Sequence, residues 1–335
     1  MEAKLSKEKI IDMTSKITRS PFWVLVGKEI RDHIRSFRFN ILLIIILLTC
    51  IGSLYAALTT IKDVASNLEP TEDLMIYLRM FAIRGEDGTL PSFITFITLL
   101  GPLLGIAMGF DAINSEKNNR TLLRIMSQPI PRDYLILAKF TGGLLVISYL
   151  VFILGMLIFA SSLLIIGLPP TFEEFIRIVV YLIVIILYIG FWLALSILFS
   201  ILFKQAATSA LSGIAVWLFF SIFYSIIVRL IINASMPDQL FQSLTEQMAS
   251  QEKIAMFMRI SPNYLFSEIT TVLLNPEFRS LGPVQVEQLV GAIPSLLNLK
   301  ESLMIIWPQV IGIIALCLVC FLISYTIFMR QELRS

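Results

Sequence analysis

The chain is short of charge. Of its 335 residues only 15% are Asp, Glu, Lys or Arg, while 57% are hydrophobic. An ordinary soluble domain carries about 25% charged and about 45–50% apolar residues. A compact soluble fold has nowhere to hide this much apolar surface, whereas a bilayer has, if the apolar residues come in runs of about 20. Histidine occurs once, at His33, and cysteine three times, at Cys50, Cys317 and Cys320, each within an apolar run. No disulfide framework follows from such a set. There is no Gly-x-x-x-x-Gly-Lys-Ser/Thr loop to cradle phosphates and no His-Glu-x-x-His pair. The chain is therefore read as non-catalytic, with no catalytic residue, cofactor or metal site of its own. A Ser–His membrane protease is disfavoured because His33 lies before the first long run. An aspartyl one is disfavoured because Asp111 has no equivalent acid in another run. The net charge of +2 makes no case for nucleic acid.

What the sequence does have is six long apolar runs, at about 39–60, 92–112, 135–167, 174–203, 206–232 and 302–329. Backbone polar groups find no water in hydrocarbon, so spans of this kind are helices. The third run is long: about 33 residues at 1.5 Å each would cover about 50 Å against a core of about 30 Å. It tilts, projects from the membrane or breaks near Gly142-Gly143, and the plain long helix is the simplest of these. The first 20 residues carry Lys4, Lys7, Lys9, Lys16 and Arg19 with no apolar centre, so a cleaved signal peptide is not expected and the first span is read as a retained anchor.

Basic residues gather on one side. Nine lie before the first span, five in 113–139, Lys204 in the turn between spans four and five, and Arg330 and Arg334 after span six. The alternate loops, 61–91 and 233–301, are poorer in Lys and Arg for their length and include Asp63, Glu69, Glu72, Asp73, Glu86 and Asp87. This predicts both termini in the cytoplasm of a multi-pass cell-membrane protein. The loop 233–301 is too long for a passive connection, and its moderately apolar stretches predict a small helical extracytoplasmic cap. The expected fold is thus an all-α membrane protein. It has an N-terminal segment and amphipathic elbow over 1–38, spans one to five over 39–232, the cap over 233–301, and span six with a tail over 302–335.

The elbow is legible in detail. Ser20 can cap a helix and Pro21 suits its first turn. Phe22, Leu25, Val26, Ile30, Ile34 and Phe37 recur at helical spacing, with Lys28, Arg31, Asp32, Arg35 and Arg38 on the other face and Trp23 at headgroup level. Such a basic amphipathic helix lies in the interface against membrane lipid. It is either a simple anchor or a lever joining a cytoplasmic partner to span one. After span two, Asp111 stands at the membrane border. A polar turn follows, then a short helix over Thr121 to Ser127, and Pro129 and Pro131 set the way into span three.

Asp111, Glu116, Thr121-Leu122, Ser127-Gln128-Pro129-Ile130-Pro131-Arg132 and Lys139 together resemble the loop of type-2 ATP-binding-cassette exporter permeases. Arg120 departs from the Gly that usually precedes the Thr-Leu pair. Ile260-Ser-Pro-Asn-Tyr-Leu-Phe followed by Leu273-Leu-Asn-Pro276 is similar to the branch related to nitrous-oxide-reductase maturation permeases. The resemblance implies a half-transporter that pairs with a second copy or a paralogue above two soluble ATPases, which bind the ATP and magnesium. It implies that the elbow (Phe22, Lys28, Arg31, Arg35) and the coupling loop 113–134 touch the ATPase through Asp111, Asn114, Ser115, Glu116, Lys117, Arg120, Thr121 and Arg124. Arg124 would be an ion-pair partner for Glu116, and ATP closure would pass to spans two and five.

Two further groups carry two readings each. Gly101, Gly105 and Gly109 on span two, and Ser209, Ser212 and Gly213 on span five, are either tight helix packing or a moving seam along a transport path. Arg229 is expected to snorkel near an interface, and Cys317 and Cys320 to act as small hydrophobes rather than soft-metal ligands. Few charges are expected inside the spans, which argues against a proton or sodium relay. A membrane scaffold or sensor, whose outer loop binds a partner without transport, is the rival from a different class.

Overall fold

The computed structural model describes residues 21–67, 75, 77, 78, 81, 92–119, 121, 130–166, 170–235, 253–275 and 297–331. These residues are helical with no strand among them. Helix α1 spans Pro21–Arg35, α2 Phe37–Asn67, α3 Phe93–Gly109 and the short α4 Asn114–Asn118. Helix α5 spans Arg132–Ile166, α6 Phe172–Leu202 and α7 Ala206–Leu218. A π-helical turn, Phe219–Phe223, joins α7 to α8, Tyr224–Ser235. Helices α9, Pro262–Leu274, and α10, Leu299–Arg330, complete the chain. Six helical segments are long and apolar enough to cross a membrane. They coincide with the six runs read from the sequence, and α5 continues unbroken through Gly142-Gly143.

The local chemistry explains where these helices begin. Thr171 and Glu174 form a reciprocal capping box at the start of α6, with Thr171 N–H donating to the Glu174 carboxylate (2.8 Å) and Glu174 N–H to Thr171 Oγ1 (3.2 Å). Ser92 caps α3 by accepting from Thr95 N–H. Proline sits inside α3 (Pro102) and α10 (Pro308), and each helix continues past it.

Helix α6 is the axis of the fold. In its most apolar window 67% of residues are buried, against 11% in the windows of span five and span six. Helix α3 lies against it through glycines. A Cβ added at Gly105 would stand 2.8 Å from the Ile189 carbonyl oxygen, and one at Gly109 would stand 2.8 Å from Ser196 Cβ. No side chain fits there, and the close approach lets Ser196 Oγ donate across to the Ile106 carbonyl (2.9 Å).

Of the loop 233–301, where a cap is expected, the structure describes 253–275 and 297–301. Helix α9 packs into the bundle among α3, α6 and α10, with Phe266, Ile269 and Leu273 fully buried. Phe266 stacks on Tyr188 at 4.3 Å, and Tyr188 is about 24 Å along α6 from Phe172 at 1.5 Å per residue. The N-terminal end of α9 thus reaches the middle of the bundle. Its preceding helical turn, 253–258, lies against Val228 and Ile232 of α8 through Met258. A few ionic groups, Arg177, Glu174, Glu268 and Lys139, are buried within the helical bundle.

Arg177, on α6, is fully buried and uses all its donors. It bonds Glu173 through Nε (3.1 Å) and Nη2 (2.8 Å), the Leu273 carbonyl (3.4 Å) and Ser302 Oγ (3.0 Å) through Nη1, and the Leu297 carbonyl through Nη2. One guanidinium therefore ties α6 to the C-terminal end of α9 and to the start of α10. Its cation also suits the negative end of the α9 dipole.

Candidate functional site

The densest charged cluster is at the α1 end of the bundle. Helix α1 packs its Leu25, Val26 and Glu29 face onto the start of α5. The approach is close because Gly142 has no side chain: a Cβ there would stand 2.9 Å from Glu29 Cβ. Glu29 is then buried facing Lys139, whose ammonium donates to both its oxygens (3.1 and 3.2 Å) and to Glu116 Oε1 (2.9 Å). Lys28 donates to Glu29 Oε1 (3.0 Å) and to the same Glu116 Oε1 (2.9 Å). Four charges from α1, α4 and α5 thus meet in one knot. Burial pushes the Glu29 carboxyl up, but Lys139 and Lys28 outweigh it and hold it below the usual range. Burial pushes Lys28 down, and Glu29 and Glu116 more than reverse this. His33, one turn beyond Glu29, is held below its ordinary value by burial, with Lys139 adding to the effect and Glu29, Asp111 and Asp32 opposing it.

Short helix α4 is fastened from other directions too. It has no side-chain cap of its own. Ser200 Oγ, at the end of α6, accepts the N–H groups of Ile113 (2.9 Å) and Asn114 (3.2 Å) instead. Lys117 donates to Gln331 Oε1 (2.7 Å), just past α10, and Gln331 Nε2 donates to the Ile201 carbonyl (3.2 Å). Five residues of helix are therefore attached to α1, α5, α6 and the end of α10. Beside them Arg38, at the start of α2, pairs with Asp111 and lies 4.8 Å from the centre of the Phe110 ring.

A cavity of about 690 Å³ opens between these parts, with Lys28, Glu29, Asp111, Glu116 and Lys139 among its walls. Half of the eight residues singled out from the coupling loop meet here. Asp111, Ser115, Glu116 and Thr121 line the cavity, and Thr121 Oγ1 donates to the Glu116 carbonyl (3.3 Å). Asn114 is wholly buried behind it, its side-chain amide without a partner among the described residues. Glu116 turns inward to Lys28 and Lys139. Arg120 and Arg124 lie outside the described residues, as does the short helix expected after Thr121; the helix that is seen, α4, comes earlier.

The other expected residues are scattered. Phe22 packs edge-on against Tyr134 (5.7 Å), and Arg31 and Arg35 are exposed on α1. The glycines of α3 face α6 inside the chain, Gly101 against the Ile189 side chain (3.1 Å). Gly213 meets Ile106 of α3 (3.0 Å), Ser212 donates to the Thr208 carbonyl within its own helix, and Ser209 is buried. Arg229 is exposed, while Cys317 and Cys320 are partly buried against the core. Three contributors escaped the sequence reading. Glu29 had a signal, an acid inside the apolar face formed by Leu25, Val26 and Ile30. Ser200 and Gln331 had none, since each acts on residues far away in the chain.

Among the described residues this arrangement is a charged junction of α1, α4 and α5 on a helical protein with six candidate membrane spans. The family model described as "ABC-2 family transporter protein" matches residues 23–333. The chain belongs to the ABC-2 transporter family, and is thus a permease subunit of an ABC transporter, a kind of protein that works with an ABC ATPase. Among curated proteins no match is found.

Proposed function

We propose that this permease couples ATP hydrolysis by separate, soluble ATPase subunits to export of a substrate across the cell membrane. The observation that carries the proposal is the fastening of α4. A short helix bonded to α1, α5, α6 and the end of α10 transmits a push to the bundle, where a free loop would absorb it. The α1 end bears the excess of Lys and Arg, so it faces the cytoplasm with both termini, where a soluble ATPase can reach α1 and α4. The spans left open in the single chain, five and six, leave room for a second copy or a paralogue, and two permeases would sit over two ATPases. Export, and the tie to the nitrous-oxide-reductase maturation branch, rest on the motifs at 111–139 and 260–276.

The test is purification of the native protein in mild detergent with an assay of ATP turnover. A P-loop ATPase is expected to co-purify, and Glu116→Arg, which sets a third cation beside Lys28 and Lys139, is expected to cut turnover at least tenfold. A permease that comes down alone, or turnover indifferent to that substitution, would sink the reading.

A further inference from the structure

We propose that the cavity at the α1 end is a socket for a basic side chain, arginine or lysine, of the partner ATPase. The inference rests on the permease reading above and names what that partner inserts.

Three observations converge on it. The first is charge. The walls carry four carboxylates, Glu29, Asp32, Asp111 and Glu116, against three cations, Lys28, Arg38 and Lys139. His33 adds no positive charge at neutral pH, because burial holds it in the neutral form. Among the described residues the cavity is left one cation short.

The second is a particular atom. Both ammonium groups that reach Glu116 converge on Oε1. The other oxygen, Oε2, is buried and accepts from no donor among the described residues, although Glu116 is only 6% exposed. A buried carboxylate oxygen without a partner is costly and seldom left so. Lys139 is already committed to Glu29 and Glu116, and Arg38 to Asp111, so neither is free to turn to it.

The third is access and size. At about 690 Å³ the cavity is roomy enough for a long side chain. Its mouth is flanked by Asp32, whose side chain is more than half exposed and only loosely paired to Lys28 at 3.5 Å. A cation passing Asp32 toward Glu116 would meet an opposite charge at the rim, and a small turn of the Glu116 carboxylate would bring Oε2, closed to water here, to accept a charge-assisted hydrogen bond at the inner end. Closure of the ATPases would then pull on Glu116, and through Oε1 on α1 and α5 together.

The test uses the full permease purified with its ATPase in nanodiscs. In a background lacking Cys50, Cys317 and Cys320, Asn119→Cys places a benzophenone probe at the rim. Light-induced cross-links are mapped by mass spectrometry. The expected cross-link falls on an ATPase peptide bearing Arg or Lys. Replacing that cation by Gln should weaken binding to the permease at least fivefold, and adding Glu116→Gln should then weaken it little further, because both changes remove one contact. Asp32→Asn, on an exposed side chain, carries the same cycle if Glu116→Gln does not fold. Additive losses would overturn the socket. So would cross-links confined to the chain's own 1–20 or 122–129, or an ATPase that co-purifies without any cross-link. A sample with no ATPase at all would instead bring down the permease reading itself.

Discussion

The two ends of the bundle bury cations in opposite ways. At the far end Arg177 spends all five of its N–H donors on Glu173, Leu273, Ser302 and Leu297. Nothing is left over, and the result is a latch that holds α9 and α10 to α6. At the α1 end Lys28 and Lys139 crowd onto one oxygen of Glu116 and leave the other without a donor among the described residues. A saturated knot fixes a geometry, and an unsaturated one keeps bonding capacity in reserve. The contrast marks one end as support and, on the function proposed above, the other as contact.

The largest effect is expected at the saturated end. Arg177→Met strands the buried Leu273 and Leu297 carbonyls and leaves the partly exposed Glu173 unpaired, at about 1–3 kcal/mol for each buried acceptor. Thermal unfolding in detergent should register the loss, with hydrogen exchange rising first in 253–275 and 297–302. An unfolding temperature within a degree or two of the parent's would end the idea of a latch. Lys139→Met tests the other half of the comparison and should be milder, about 1–3 kcal/mol, since Lys28 remains to pair with both Glu29 and Glu116. If Lys139→Met proves the more damaging of the two, the assignment of support and contact is reversed.

Smaller effects sharpen the picture along α3. Gly105→Ala drives a methyl against the Ile189 carbonyl oxygen at 2.8 Å and should cost about 1–3 kcal/mol by overpacking. Gly52→Ala, with open space around the added carbon, should be neutral or stabilise by about 0.5–1 kcal/mol. Equal melting temperatures for the two variants would contradict the packing described. The smallest effect concerns pH. His33 is held below its ordinary value by burial, so the unfolded chain binds that proton more readily than the folded one. The stability that neutral His33 contributes is full above the ordinary value of about 6.5 and falls as pH drops through the lower, folded value. Proteolysis within 21–35 should therefore quicken between pH 7.5 and pH 5 and lose that pH dependence in His33→Gln.

Much of this was legible from residues alone, because lipid enforces a simple rule. Long apolar runs have one permitted backbone, so six spans, α1 and the glycine face of α3 could all be read from local pattern. Helix α9 escaped for the same reason. Its 13 residues are too few to cross a membrane, so hydropathy gave it no place among the spans. Its place is decided by Phe266 meeting Tyr188, a pairing across 78 positions that no local period announces. The charged knot was half legible. Glu116 and Lys139 stood in a motif, but Glu29, which completes their pairing, belongs to a separate segment, and the turn of Glu116 away from the loop depends on helices that meet only in the fold.

The π-helical turn at Phe219–Phe223 has a consequence for how span five was assembled. Such a turn is an α-helix with one residue too many, and one residue is about 100° of rotation. The half of the span beyond it therefore presents a different side from the one an uninterrupted helix would show. Ser221, inside the turn, accepts from Asn263 Nδ2 (2.7 Å), and Asn263 Oδ1 in turn accepts from Tyr188 (2.8 Å). Deleting a single residue there would re-phase everything downstream, swinging Val228 and Ile232 away from Met258. The span behaves as two pieces set at an angular offset by one extra residue, and the offset is what lets the segment around Met258 find its seat.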